Sequence, residues 1–310
     1  MQLCEHAKIP YSILPEQSLT EELLGEYSLL LLPEVYVIEE KTCALLERFV
    51  EQGGILISSG QSGLWNRDST RRSKSSIAHL LGTGKSVIHE EYAANRWSAY
   101  LKNTGKTSFH GLLSCTTPPV SEHFIETDCQ EDAASLLEFL LPCVACDFDH
   151  WVNWWSPPPG QAFHHPALVR RPYGRGTSYY FAFDFFTMAS LNSFQYPKEL
   201  FADLLALSEL APAIRNRTEI PDILRTAYFE TEDSYIVHQI SMLAKQFHGN
   251  SSPVSGGLLE IPEPVTEARV VYPFPMELSA EQENGCSVIR LPDLSLQQII
   301  LVKKSLSKRR

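Results

Sequence analysis

One stretch limits the possible folds more than any other: "YSLLLLPEVYVIEEKTCALLERFVEQGGILISSGQSG", Tyr27 to Gly63. "YSLLLLPEV" is a short, unbroken apolar run ended by Pro33, which is how a strand buried on both faces reads, and such strands belong to parallel sheets. In "EEKTCALLERFVEQGG", Leu45, Leu46, Phe49 and Val50 fall on one stripe at helical spacing, while Glu47, Arg48 and Glu51 face away. Glu39 and Glu40 suit the positive end of the helix dipole. Gly53 and Gly54 supply the conformations that end a helix. "ILISS" then reads as a second buried strand, so the stretch makes a right-handed strand–helix–strand crossover.

Similar signals continue to residue 212. "EDAASLLEFLL" reads as an amphipathic helix stopped by Pro142. "GRGTSYYFAFDFF" reads as a turn and an aromatic strand, and "PKELFADLLALSEL" as a helix with proline in its first turn. Residues 1–212 are therefore expected to form an α/β domain with a mostly parallel sheet. After "LAPAIRNRTEIP" the helical period disappears. "ILRTAYFE", "SYIVHQISML", "GLLEI", "ARVVYPF", "CSVIRLP" and "QQIILVKK" are short strand patterns separated by Gly, Pro, Asn and Asp. Residues 213–310 are expected to form a small all-β sandwich.

Charge and cysteine usage remove several function classes. The formal charge of −11 argues against a nucleic-acid partner, whose phosphates such a surface repels. The basic tail "KKSLSKRR" reads as a solvated terminus. No run of about 18 apolar residues is present to suggest a membrane span, and the start lacks the pattern of a signal peptide. Seven scattered cysteines do not suggest a disulfide framework; reduced thiols and a cytoplasmic location are the expectation.

The motifs that could carry chemistry are incomplete. "LLGTGKS" ends like a phosphate loop, but His79 stands where the first glycine is required. "HEEYA" begins like a zinc helix, with Ala93 where the second histidine belongs. The single C-x-x-C, Cys143 to Cys146, has no second pair to complete a zinc site, and it follows Pro142 instead of opening a helix after a strand. No metal site or other cofactor is expected. Gly60-Gln61-Ser62-Gly63 sits after a strand, as a nucleophile elbow does. A hydrolase elbow reads G-x-S-x-G, and Leu64 takes the place of the last glycine. No cysteine lies between Cys43 and Cys115 to supply a thiolate. His164 and His165 could supply a base by position, but no carboxylate lies at a short spacing to orient them. Catalytic residues are accordingly expected to be none. Trp151, Trp154 and Trp155, in the proline-bounded "DHWVNWWSPPPG", could pack on the chain's own core or serve as sugar-facing or interface residues. Asp184, near the carboxyl end of "YYFAFDFF", lies where α/β domains place ligands, or else caps the following turn.

The strand–helix–strand stretch resembles the β-galactosidase trimerisation domain that follows the catalytic barrel in family 42 β-galactosidases and related α-L-fucosidases. "WWSPPPGQAFHHPALVRRPYGRGTSYYFAFDFF" is similar to the family's later segment, and "VIRLPDLSLQQIILVKK" to the last strands of its small β-sandwich. The resemblance implies a flavodoxin-like fold of the class I glutamine amidotransferase type. It implies a homo-oligomer, or association with a separate catalytic barrel, with carbohydrate as a candidate partner. Loops of this domain can approach a neighbouring subunit's active site in relatives. The glycosidase carboxylates would then lie on an upstream (β/α)8 barrel, whose eightfold alternation this sequence does not show. In the family the domain opens with a strand before its first helix. Here "MQLCEHAKI" looks like that helix, followed by a strand "YSIL". The chain is therefore expected to be either a C-terminal fragment or a stand-alone accessory protein. Two other readings stand beside this one: a stand-alone carbohydrate-binding protein, and a cryptic amidotransferase-like hydrolase using Ser62 with His164 or His165.

Overall fold

A computed structural model describes residues 2–92, 95–113, 115–145, 157–191, 194–210, 214–217, 224–242 and 253–305. The chain divides into two compact units, Ile13–Leu210 and a second made of Met1–Ser12 with Ala211–Arg310. Residues 1–12, counted with the α/β segment on sequence, thus cluster with the second unit.

In chain order the elements of the first part are α1 (Gln2–Ala7), α2 (Glu21–Leu24), β1 (Leu29–Leu32), α3 (Glu40–Glu51), β2 (Ile55–Ser59), α4 (Ala78–Leu81), β3 (Thr83–His89), β4 (Ala99–Asn103), β5 (Pro119–Val120), β6 (Phe124–Cys129), β7 (Ala134–Pro142), β8 (Pro159–Tyr173), β9 (Gly176–Phe181), α5 (Phe185–Leu191) and α6 (Gln195–Leu207). The crossover unit forms, but β1 is the edge strand of its sheet and its four leucines are only half-buried, not buried on both faces as the apolar run suggests. In α3, Leu46, Phe49 and Val50 are buried and Leu45 is half-buried. The helix stops where Gly53 turns to φ +116° and its N–H bonds the Val50 carbonyl. The next residue must also be glycine, since a Cβ on Gly54 would meet the Phe49 ring at 2.4 Å. From there β2 runs parallel to β1 with all five residues buried.

The large sheet has seven strands in the order β1-β2-β9-β8-β7-β4-β5. Only β1–β2 and β2–β9 pair in parallel, and the other four pairings are antiparallel. This corrects the expectation of a mostly parallel sheet. The cause lies in "EDAASLLEFLL", which is strand β7 and not a helix. Its leucines and alanines favour a helix locally, but β4 on one side and β8 on the other take its backbone hydrogen bonds. With a strand where a crossover helix was expected, the chain returns by hairpins, which alternate direction. "YSIL" is also not a strand in the structure. The core of this unit is aromatic at its centre. Phe181 and Phe185 stack at 3.9 Å between ring centroids, and Phe139 lies 4.9 Å from Phe124.

The second unit contains β10 (Arg215–Asn216), β11 (Leu224–Glu230), β12 (Ser234–Ser241), β13 (Leu258–Ile261), β14 (Val265–Tyr272), β15 (Met276–Leu278), β16 (Ala280–Glu283), β17 (Cys286–Arg290) and β18 (Gln297–Lys304). These make a four-stranded sheet, β10-β13-β17-β16, and a five-stranded sheet, β11-β12-β18-β14-β15. One apolar core joins them: Leu259, Ile261 and Ile289 from the first sheet with Val237, Val270 and Ile300 from the second. That is the sandwich arrangement, and the alternating burial along β12 and β18 is its local cause.

Candidate functional site

Three parallel-paired strands, β1, β2 and β9, end side by side, and each is followed within three residues by a polar side chain. Glu34 comes just after β1, Gln61 just after β2 and Asp184 just after β9. A fourth group arrives from a different direction. Phe124 forms an antiparallel bridge with Phe183, and the N–H of Ile125 donates to the Ala182 carbonyl at 2.7 Å. That pairing sets His123 beside the end of β9.

The four side chains form one hydrogen-bonded cluster. His123 Nε2 lies 3.0 Å from Glu34 Oε1 and 3.2 Å from Gln61 Nε2. The backbone N–H of Gln61 donates to Glu34 Oε1 at 3.2 Å. Trp65 Nε1–H donates to Gln61 Oε1 at 2.8 Å. Asp184 caps α5 by accepting the Thr187 N–H at 3.1 Å, and it is also hydrogen-bonded to Glu34. The Tyr36 and Trp65 rings lie 6.5 Å apart beside the cluster, and Tyr36 is exposed.

The backbone here is unusual. Glu34 and Glu122 have φ of +52° and +65°, a region that side chains rarely occupy. Gly60 has φ +56°, and a Cβ there would meet Glu34 Oε1 at 2.5 Å. Strain of this kind persists where the surroundings over-determine it, and it concentrates at functional sites.

Burial and charge set the protonation of the cluster. Burial pushes Asp184 up to about 6, assisted by the neighbouring Glu34 charge and only partly offset by the Thr187 bonds. Burial would also raise Glu34, but bonds from His123, Asp184 and the Gln61 N–H hold it below its ordinary value. The Glu34 bond raises His123 against an opposing effect of burial.

Ser62, at the tip of the expected elbow, does not join this chemistry. Its hydroxyl donates to the Ser59 carbonyl at 2.7 Å and accepts the Val35 N–H at 3.0 Å, and the residue is buried. His165 Nδ1 donates to the Thr127 carbonyl, and exposed His164 faces Glu138 at 4.0 Å. Among the described residues no imidazole bonds Ser62, so the elbow shape is spent on lacing the β1 and β2 ends together. "LLGTGKS" spans the end of α4 and the start of β3, which is not the strand-to-helix turn of a phosphate loop. The cavity beside it, about 690 Å³, holds Lys74, Lys85 and His79, with Asp128 against Gly84 and Glu47 paired to His79. Trp151, Trp154 and Trp155 lie outside the described residues, as does Cys146. The six described cysteines are unpaired. Among the described residues there is no metal-holding group of His, Cys, Asp or Glu, and no helix long and apolar enough to cross a membrane.

Asp184 was legible in the sequence because it follows an aromatic strand. Glu34 carries the same signal, a carboxylate just past an apolar strand ended by Pro33. His123 carries no local signal, because only the bridge to Phe183 brings it to the site.

Residues 15–85 match the family model of the β-galactosidase trimerisation domain. No curated protein matches the chain. Among solved structures, the chain is similar to α-L-fucosidase isoenzyme 2 from Paenibacillus thiaminolyticus, at 18% identity and a TM-score of 0.73, covering 98% of this chain and 44% of that one. It is also similar to the cold-adapted β-galactosidase from Rahnella sp. R3, at 16% identity and a TM-score of 0.58, covering 94% of this chain and 36% of the other. A third similar structure is the β-galactosidase from Bacillus circulans sp. alkalophilus, at 14% identity and a TM-score of 0.60, covering 98% and 36%. At these identities the likeness is one of fold. The chain spans less than half the length of these proteins.

Proposed function

We propose that this chain is an accessory region of a glycoside hydrolase of the β-galactosidase or α-L-fucosidase type, and that it mediates self-association while bond cleavage is done elsewhere. The observation that carries this reading is the family-model match over residues 15–85, the crossover unit itself. The fold likeness over nearly the whole chain supports it, since the matched structures carry more than half their length besides.

The candidate site is consistent with a role outside glycosidic cleavage. Hydrolysis of a glycosidic bond uses two carboxyl groups about 5–9.5 Å apart across the scissile bond. Here both carboxyls are already engaged within the protein, Glu34 by His123 and the Gln61 N–H and Asp184 by the Thr187 N–H. Two measurements test the proposal. Light scattering on the purified chain is expected to give a discrete homo-oligomer, and a monomer at micromolar concentration would refute self-association. Assays on aryl β-galactosides and aryl α-fucosides are expected to show no turnover, and turnover abolished by Asp184→Asn would end the accessory reading.

A carbohydrate-binding role is the second reading. It is favoured by the exposed Tyr36 ring beside Trp65, with carboxylates and an amide at hand to hold hydroxyl groups. In either case we assign Trp151, Trp154 and Trp155 to a surface that meets a sugar or a neighbouring subunit. Replacing all three by Ala should abolish oligomerisation or sugar-induced fluorescence changes, and retention of both would remove them from the role.

A further inference from the structure

A further histidine, His89, sits between two carboxylates, and that arrangement restricts the protons it carries. His89 closes β3. Its ring lies flat against Phe124 of β6, 4.9 Å between centroids, with the Phe163 ring of β8 edge-on at 5.4 Å. The side chain is only 17% exposed. Its Nε2 lies 2.7 Å from Glu126 Oε2, and its Nδ1 is hydrogen-bonded to Glu91 Oε1. Strand pairing fixes the first contact. His89 pairs with Phe124 and Val87 with Glu126, so Glu126 is the diagonal neighbour of His89 across the two strands. Sequence fixes the second, since Glu91 lies two residues beyond His89 in the turn that leaves β3.

An ionised carboxylate only accepts hydrogen bonds. Both contacts are therefore satisfied only when both ring nitrogens carry protons, which is the charged imidazolium. Neither neutral tautomer makes the same pair of bonds. With the proton on Nε2, the Nδ1 lone pair faces Glu91. With the proton on Nδ1, the Nε2 lone pair faces Glu126. Losing one proton from His89 costs one of the two bonds in either case. Exposure decides which. Glu126 lies on a paired strand with its side chain 32% exposed, while Glu91 is 52% exposed on a turn. Water takes up a released Glu91 carboxylate at the lower cost. Burial works against the charge on His89, but the bonds to Glu91 and Glu126 outweigh it and hold the pKa above the ordinary 6.5.

We propose that His89 is a proton-operated latch: charged, it ties the turn at Glu91 to β6, and uncharged, it keeps Glu126 and lets the turn go. The groups that bias it come from three elements. Glu91 follows β3 and Glu126 is on β6. From β8, His165 approaches the other oxygen of Glu126 at 3.7 Å, while its Nδ1–H donates to the Thr127 carbonyl. A charge on His165 draws on Glu126 but does not restore the Glu91 bond, which needs the Nδ1–H of His89. The output is the turn Glu90–Tyr92, whose Tyr92 ring lies 6.4 Å from Phe124, the ring that also carries His89. This goes beyond the accessory reading, because it holds whatever the chain assembles with.

The test follows the full chain, labelled with 15N, by NMR from pH 5 to pH 10. The backbone amides of Glu91 and Tyr92 are expected to shift with the midpoint of the His89 ring nitrogens. Above that midpoint the ring should be the Nε2–H tautomer. Glu91→Gln is the decisive variant. Its amide offers oxygen to Nδ1–H or, turned over, NH2 to the Nδ1 lone pair, so the contact survives in both states. The two backbone amides should then stop moving with pH. His89 should still titrate, about one pH unit lower for the loss of one neighbouring charge. His165→Gln should leave the two amides tied to His89. Wild-type amides that do not share the His89 midpoint would overturn the latch. So would the Nδ1–H tautomer at high pH, an unaltered response of the amides in Glu91→Gln, or its loss in His165→Gln. None of these readouts involves association or glycosidase activity, so a failed latch and a failed accessory reading are told apart.

Discussion

Asp184 and His123 both hold their protons more tightly in the folded chain than in the open chain, and this fixes the sign of their effect on stability. A group whose pKa is raised on folding stabilises the fold below its ordinary value, and the contribution is lost as the pH climbs through the raised value. For Asp184 that window runs from the ordinary 3.8 up to about 6. His123 acts in the same direction from its ordinary 6.5 upward. Glu34, held below its ordinary 4.5, has the reverse effect, present above that value and lost as the pH falls through the lowered one. Stability is therefore expected to fall between pH 5 and pH 8. Asp184→Asn keeps an oxygen to cap Thr187 but removes the ionisation. Relative to wild type, it should gain about 1 kcal/mol on going from pH 5 to pH 8, after allowing for solvent screening. Urea denaturation at the two pH values measures this, and an equal response in both proteins would count against a buried, raised Asp184. At the neighbouring turn, Gly60→Ala forces a Cβ against Glu34 in a left-handed conformation. It should cost about 1–3 kcal/mol in the same denaturation experiment, and it should shift the His123 titration, since the Glu34 carboxylate has to move.

At the scale of the element, a buried pair of glutamines shows what holds two strands in register. Gln239 on β12 lies opposite Gln298 on β18, and both are essentially inaccessible to solvent. Gln298 Nε2–H donates to Gln239 Oε1 at 2.7 Å and to the Pro292 carbonyl at 3.2 Å, and Gln239 Nε2–H donates to the Gly256 carbonyl at 3.1 Å. The pair thus ties the loops before β13 and β18 to the sheet. A buried polar group left alone costs more than a satisfied pair contributes. Gln239→Leu should therefore destabilise the unit by about 2–3 kcal/mol. Gln298→Leu added to it should cost less than the sum of the two single changes. A double-mutant cycle by thermal unfolding measures this; strict additivity would mean that the two amides do not act together. The same scale explains β7. Its Leu, Ala and Glu content suits a helix, yet Leu137 and Phe139 are fully buried with β4 and β8 on either side. Sheet position outweighs the local preference, which amounts to only a few tenths of a kcal/mol per residue.

For the whole molecule, the charge of −11 opposes any association between copies. If the chain self-associates as proposed, apolar and hydrogen-bonded contacts have to overcome that repulsion. Salt screens it over a distance that falls from about 30 Å at 0.01 M to about 8 Å at 0.15 M. Association is then expected to tighten by several-fold as salt is raised over this range. Sedimentation velocity at several concentrations checks this. Weaker association at higher salt would instead place ion pairs at the interface.

The sequence alone determined the elements whose signals are local. The crossover β1–α3–β2 follows from an apolar run, a helical stripe and a pair of glycines. Helix α6 and six strands of the second unit were legible for the same reason, since periodicity and turn residues act within a few positions. Asp184 was readable as the residue after an aromatic strand. The tertiary structure decided what depends on partners far away in the chain. The direction of the sheet turned on whether β7 found strands on both sides, and its own residues do not encode that. The site turned on the bridge between Phe124 and Phe183. That contact joins segments about 60 residues apart in sequence, so no local pattern placed His123 among Glu34, Gln61 and Asp184. Ser62 followed the same rule in reverse: its surroundings look like an elbow in sequence, but the ends of β1 and β2 had already claimed its hydroxyl.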